Sequence, residues 1–193
     1  MTNQKEDIIS YFEKLDRSLF MDEHKEFAYL DEPLPIGHEQ TISQPSLVLK
    51  MTLALNLQPH SKVLEIGTGS GFQTALLAAF SDSVYTIERI EALHERAKER
   101  LEEAGLVNIH YKLDDGSTGW EEHSPYDRIM VTAAAAQLPQ ELIDQLARGG
   151  KMIIPVGTPF LQELLLIEKD ENGKIHTEVL DNVRFVPLKG KYE

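Results

Sequence analysis

The stretch Glu65-Ile66-Gly67-Thr68-Gly69-Ser70-Gly71 falls between a run of strand-forming residues, Lys62-Val63-Leu64-Glu65-Ile66, and an apolar helical run over residues 72–80. Three glycines in five positions let a chain turn sharply out of a strand, enter a helix and pass close to a ligand. A strand, a glycine turn and a helix in that order form the first half of a βαβ unit. That unit commits the chain to a layered α/β architecture.

The residues that follow keep the alternation. Val84-Tyr85-Thr86-Ile87-Glu88 reads as a second strand, and residues 90–104 as a helix carrying Leu93, Ala97 and Leu101. Residues 108–113 read as a third strand, 127–132 as a fourth and 139–146 as another helix. Strands and helices of these lengths predict a doubly wound, mostly parallel sheet with right-handed crossovers. The last quarter changes character. Residues 151–156, 162–169, 174–180 and 183–188 read as strands, with Glu171-Asn172-Gly173 as a hairpin turn, so antiparallel pairing closes the sheet.

Ahead of the glycine turn, Ile8, Ile9, Phe12 and Leu15 recur at helical spacing and predict an N-terminal helical cap. The prolines of Asp31-Glu32-Pro33-Leu34-Pro35-Ile36-Gly37 forbid a regular helix there. Ser43-Gln44-Pro45 then reads as a helix start, with the Ser43 hydroxyl as the cap. Residues 37–43 are accordingly expected to form a loop pinned against that helix. No repeat or linker interrupts the chain. The expectation is one domain over 1–193, with N-terminal helices and loop to about 57, a ligand-binding core over 58–148 and closing strands over 149–193.

Thirty-two acidic against 19 basic residues give a net charge of −13, which disfavours a polyanionic nucleic-acid partner. No apolar run reaches membrane-spanning length. The first seven residues lack a basic-then-apolar leader pattern, and there is no cysteine for a disulfide or a thiolate site. A cytoplasmic monomer, bound to neither membrane nor nucleic acid, is the expectation. The seven histidines are scattered without metal-ligand spacing, so no metal is expected.

Around the turn, the acids have distinct uses. Glu65 precedes it, where a carboxylate can attract an amino-acid ammonium. Glu88 ends the second strand, where a carboxylate accepts from both ribose hydroxyls. Asp115-Gly116 follows the third strand, within reach of an adenine amine. A sugar-binding acid and a base-binding acid suit an adenosine ligand lacking a diphosphate. No Gly-Lys-Ser/Thr follows the glycines, against a triphosphate loop, and the third glycine is misplaced for a nicotinamide dehydrogenase.

The remaining motifs identify a family. Pro33-Leu34-Pro35-Ile36-Gly37-His38-Glu39-Gln40-Thr41-Ile42-Ser43-Gln44-Pro45 resembles a signature of the protein-L-isoaspartate (D-aspartate) O-methyltransferases. Val63 through Gly71, Asp115-Gly116 with Gly119, Pro125-Tyr126-Asp127, Thr132-Ala133-Ala134, Pro155-Val156-Gly157 with Gln162, and Phe185-Val186-Pro187-Leu188 continue the likeness in order. It extends from Arg17 to Leu188. Two positions depart from the common pattern: Glu39 stands where many members have glycine, and Asp114 replaces a glycine before the Asp-Gly pair.

The resemblance implies a Rossmann-like methyltransferase sheet and transfer of a methyl from S-adenosyl-L-methionine to the free carboxylate of L-isoaspartyl or D-aspartyl residues in damaged proteins. S-adenosyl-L-homocysteine is the other product, and the ester cyclises to a succinimide. It further implies that Ser43 is the active-site residue and that Gln40, Thr41 and Ile42 close over the cofactor. Glu65, Gly67, Gly69, Ser70, Gly71, Glu88, Arg89, Asp115 and Gly116 would hold that cofactor. Pro35, Ile36, Gly37, Val186 and Pro187 would border the peptide. Because a carboxylate is already ionised at neutral pH, no strong base is required and Ser43 is assigned to positioning. His38 reads as a loop or substrate-lining residue, Trp120 as a core or rim aromatic, and Glu91, Glu95, Glu99 and Glu102 with Arg96, Lys98 and Arg100 as a solvated helix face. The alternatives are a methyltransferase with another acceptor and a non-catalytic cofactor-binding module.

Overall fold

A computed structural model describes residues 4–192; the readings made above of residues 1–3 and 193 lie outside the described residues. Nine strands and five α-helices follow one another through these residues: α1 (Gln4–Lys14), β1 (Leu34–Gly37), β2 (Gln40–Ile42), α2 (Pro45–Leu55), β3 (Lys62–Ile66), α3 (Phe72–Ala79), β4 (Ser83–Glu88), α4 (Glu91–Glu103), β5 (Ile109–Leu113), β6 (Tyr126–Val131), α5 (Gln140–Gln145), β7 (Leu146–Thr158), β8 (Leu161–Lys169) and β9 (Ile175–Val183). Seven of the strands make one sheet in the order β5-β4-β3-β6-β7-β8-β9. The first five run parallel, and β7, β8 and β9 pair antiparallel.

The two faces of the sheet separate by the period-two alternation of a strand. Leu64, Ile129, Val131, Met152 and Ile154 pack into one core with Leu142 and Leu146 from around α5. Their neighbours Val63, Met130 and Ile153 point the other way, onto Met51 and Leu55 of α2 and Leu77 of α3. All seven residues from Phe72 to Ala78 are buried, so α3 is sheathed in protein on every side. A third core forms where α1 lies over α2 and α3: Ile8, Phe20, Leu34, Ile42, Val48 and Phe72 meet there. This third core carries the N-terminal layer across the carboxyl ends of the parallel strands.

Chain order leaves β3 toward β4 on one side and returns to pair β6 on the other. Ligand crevices of open α/β sheets form at such a switch point.

Three expectations need correction. Residues 37–43 are not an irregular loop pinned to the helix: β1 and β2 form an antiparallel hairpin with Leu34 opposite Ile42 and Pro35 opposite Thr41. His38 and Glu39 make its turn with φ of 53° and 59°, the two left-handed positions of a tight hairpin. Ser43 does not cap α2. Gln44 holds the cap position without a side-chain bond, and Asp31 serves instead, its Oδ1 accepting from the Ser46 N–H at 2.8 Å. Residues 183–188 are not a strand after Val183. The Phe185 N–H donates to Gln162 Oε1 and the Gln162 amide donates to the Phe185 carbonyl, which draws this segment out of the sheet.

Candidate active site

The glycine turn is held from three directions. Gly67, Gly69 and Gly71 all have positive φ (92°, 55° and 88°). A side chain at Gly67 would meet Thr132 Oγ1 at 2.4 Å, because the Thr132 hydroxyl donates to the Gly67 carbonyl at 2.7 Å. Thr132 follows β6 directly, so the residue facing the turn across the switch point is the one that clasps it. From the sequence, Thr132 enters only as part of the Thr132-Ala133-Ala134 likeness, with no role in the turn. Its position next to the end of the pairing strand is the signal that could have found it.

Glu88, at the end of β4, is 6% exposed. Its Oε2 accepts from the Gly69 N–H, and its Oε1 accepts from the Arg89 and Ile90 N–H groups, all at 2.9 Å. Three backbone donors fix the carboxylate at the edge of the turn with a lone pair still available on Oε2.

Three cavities meet here. The first is lined by Gln40, Thr41, Gly67, Gly69, Glu88, Arg89, Gly116, Thr132, Val186 and Pro187, among others. A second, on the N-terminal side, is lined by Thr41, Ile42, Ser43, Gly67, Thr68 and Ser70 with Gln73 and Thr132. A third is a largely apolar groove between Pro33 and the segments 134–136, 157–162 and 184–189. Thr41 of β2 belongs to all three.

The segment after β6 ties the groove to the first cavity. The Ala134 N–H donates to the Val186 carbonyl and its carbonyl accepts from the Leu188 N–H, both at 2.8 Å. On its other edge, the Ala135 N–H reaches the Pro155 carbonyl at 3.0 Å and its carbonyl accepts from the Gly157 N–H at 2.9 Å. The alanine run is thus a short bridge between Pro155-Val156-Gly157 and Val186-Pro187-Leu188.

Not every expected residue lines a cavity. Glu65 is fully buried on the far face of β3, where the Thr74 and Thr86 hydroxyls donate to its Oε2 at 2.6 and 2.7 Å. Burial pushes its carboxyl up to about 8. It reaches the turn only indirectly, through Thr86 Oγ1 against Thr68 Oγ1 at 2.6 Å. Gly71 and Asp115 also line none of the three. Gly71 allows α3 to pack against Leu101. Asp115 caps a short 3₁₀ turn, accepting from the Ser117 N–H and hydroxyl. Ile36 approaches the turn at Gly69, whereas Pro35 and Gly37 stand on the exposed side of the hairpin. Ser70 accepts from the Phe72 N–H at the start of α3.

Arg17 is a residue that sequence reasoning left without a role. It is 5% exposed and donates to the carbonyls of Ala28, Leu30, Glu32, Ile42 and Ser43. Burial works against its charge, and Asp31 and Glu32 support it. Among the described residues no group of three His, Asp or Glu side chains is placed to hold a metal, and no helix is long and apolar enough to cross a membrane.

A parallel sheet with a glycine turn at its switch point and a buried carboxylate ending the next strand is the layout of a nucleoside-binding α/β enzyme, here an S-adenosylmethionine-dependent methyltransferase. The model of the protein-L-isoaspartate(D-aspartate) O-methyltransferase family matches residues 1–193. The chain belongs to that family and is a carboxyl methyltransferase that uses S-adenosyl-L-methionine. It is 54% identical over 180 residues to the protein-L-isoaspartate O-methyltransferase of Dictyoglomus turgidum, covering 93% of this chain and 81% of the relative. It is 53% identical over 185 residues to that of Ectopseudomonas mendocina, covering 94% and 86%. Among solved structures, that of a protein-L-isoaspartate O-methyltransferase from Plasmodium falciparum in complex with S-adenosyl-L-homocysteine matches at a TM-score of 0.80 and 28% identity, covering 98% of this chain and 92% of that one.

Proposed function

We propose that the three cavities divide the reaction among them: adenosine in the first, the methionyl part of the cofactor in the second, and the damaged peptide in the groove. The observation that carries this division is that Thr41 lines all three, two residues before Ser43. Charge and shape agree with it. Glu88 has an acceptor to offer a ribose hydroxyl, Gly116 presents a bare backbone to the first cavity, and the groove beyond Thr41 is lined by prolines, alanines and Phe185.

The cofactor supplies an electrophilic methyl group, so the chain has little bond chemistry to perform. Its task is to hold an ionised carboxylate in line and keep water away. In this reading Ser43 donates its hydroxyl proton in a hydrogen bond to one oxygen of the isoaspartyl carboxylate, leaving the other oxygen to attack. Val186 and Pro187 border the peptide, held beside Ala134 by the backbone bonds described above. The methyl ester then loses methanol as the following peptide nitrogen closes a succinimide, whose hydrolysis returns part of the population to normal aspartate. D-aspartyl residues present the same carboxylate on an altered backbone and belong to the same proposal.

The acceptor in this reading is protein and not nucleic acid, supported by the net charge of −13. In the same reading the chain acts in the cytoplasm as a monomer.

Transfer of labelled methyl groups to an isoaspartyl peptide and to its aspartyl twin tests the whole proposal. Base-labile label on the isoaspartyl peptide alone is the expected result. Label on neither peptide, with the cofactor bound, would overturn it.

A further inference from the structure

The groove beyond Thr41 has a volume of about 540 Å³ and a composition at odds with the rest of the surface. In a chain of 32 acids and 19 bases, no carboxylate lines it. Its two charged residues are Arg184 and Lys189. Arg184 is exposed, and none of the described residues pairs with its guanidinium. The arginines of the N-terminal and helical layers differ: Arg17 donates through both Nη atoms to five carbonyls, and Arg96 and Arg100 both pair with Asp22.

A second observation lies at the mouth. The tip joining β7 to β8 contributes Pro159 to the groove wall, and the next two residues project large apolar side chains into solvent. Phe160 is 99% exposed and Leu161 65%. Apolar groups presented at the rim of a groove are a mark of a protein-binding surface.

Resting on the peptide-binding role proposed above, we infer that this groove chooses among damaged sites by their neighbours, favouring an isoaspartyl residue with a carboxylate side chain nearby for Arg184 and an apolar side chain for the Phe160 tip. The whole-molecule charge repels acidic peptides at long range, and an acid-free groove with an unpaired guanidinium reverses that bias locally. Planar, two-pronged recognition of carboxylate is what a free guanidinium provides. Aspartate damage in acidic, partly apolar segments is then repaired ahead of damage in basic ones.

The test uses the full chain with saturating S-adenosyl-L-methionine and a set of isoaspartyl peptides. A neutral parent peptide is compared with variants carrying one Glu, or one Gln, at each of the three positions on either side of the damaged residue. The expected result is a KM about three-fold lower for Glu than for Gln at one or more positions, the size of an exposed ion pair. That ratio should return to one in Arg184→Gln and in high salt. A second set carrying Phe or Ala beside the damaged residue should show a KM advantage for Phe that Phe160→Ala removes. Equal KM for every Glu and Gln pair, or a Glu advantage that survives Arg184→Gln, overturns the inference while methylation of the neutral peptide leaves the function standing. Failure to methylate any of the peptides overturns both. A stable dimer in sedimentation that dissociates in Phe160→Ala would give the tip to a second copy of the chain and also overturn it.

Discussion

Arg17 Nη2 donates to the Ser43 carbonyl at 3.1 Å and to the Glu32 carbonyl at 2.9 Å, joining the two ends of the β1–β2 hairpin through one guanidinium. The same guanidinium also serves the Ala28, Leu30 and Ile42 carbonyls in a partly buried layer. Arg17→Ala should therefore lower stability by about 3 kcal/mol and reduce turnover beyond what the lost stability explains. Urea unfolding and single-turnover methylation would measure the two effects. Full activity in a destabilised variant would confine Arg17 to folding.

Ser43 has no role in capping α2, which Asp31 serves. Ser43→Ala should therefore leave helix and fold intact while turnover drops by about ten-fold or more, the loss expected for one hydrogen bond to a charged group. Cofactor affinity by calorimetry should change less than about two-fold. Unaltered turnover would remove Ser43 from the reaction.

Glu88 accepts from three backbone N–H groups at the rim of the first cavity. Glu88→Ala should weaken cofactor binding by at least about ten-fold, combining a lost ribose acceptor with a loosened Gly69. Calorimetry showing unchanged affinity would contradict the assignment.

His38 and Glu39 both occupy the left-handed region at the hairpin turn. An L side chain pays about 1–2 kcal/mol there. Glu39→Gly should raise stability by about 1 kcal/mol, less than the full strain because glycine also loosens the unfolded chain. A lowered midpoint in chemical denaturation would refute this.

Glu65 is fully buried with its carboxyl raised to about 8 against an ordinary 4.5, chiefly by burial and in small part by Glu88, with Thr74 and Thr86 acting in opposition. The folded state holds its proton more tightly than the unfolded chain. Stability from this group is complete below about pH 4.5, declines as pH rises through the window between those values and is lost above about 8. The slope within the window is at most about 1.4 kcal/mol per pH unit. Glu65→Gln should flatten it, as a series of urea unfolding curves from pH 5 to 9 would reveal. An unchanged slope would mean that Glu65 is ionised throughout.

The parallel half of the sheet was legible because its signals are local. Val63 and Leu64, or Met130 and Ile129, alternate faces within a few residues, and Gly67, Gly69 and Gly71 mark the turn itself. What escaped depends on partners distant in sequence. Asp31 replaces Ser43 as a cap only because the chain folds it back 15 residues. Arg17 finds acceptors up to 26 residues away. The hairpin over 34–42 was hidden by Pro35 and by a His-Glu turn lacking the usual Asn-Gly pattern. In the site, Glu88 and Gly116 reach the expected cavity. Glu65 does not, because strand alternation turns it to the opposite face from its neighbour Ile66. The acids Glu91, Glu95, Glu99 and Glu102 are exposed as read, while Arg100 of the same helix is drawn inward to Asp22, 78 residues away.

Gln162 grips Phe185 by both its N–H and its carbonyl, at 2.6 and 3.1 Å. One amide side chain thereby imitates a rung of the β-ladder where the chain has already left β9. The wall formed by residues 184–188 is anchored to β8 through Gln162 and to the segment after β6 through Ala134. A rigid border with no strand of its own can grip a visiting backbone without offering an edge on which other chains would stack.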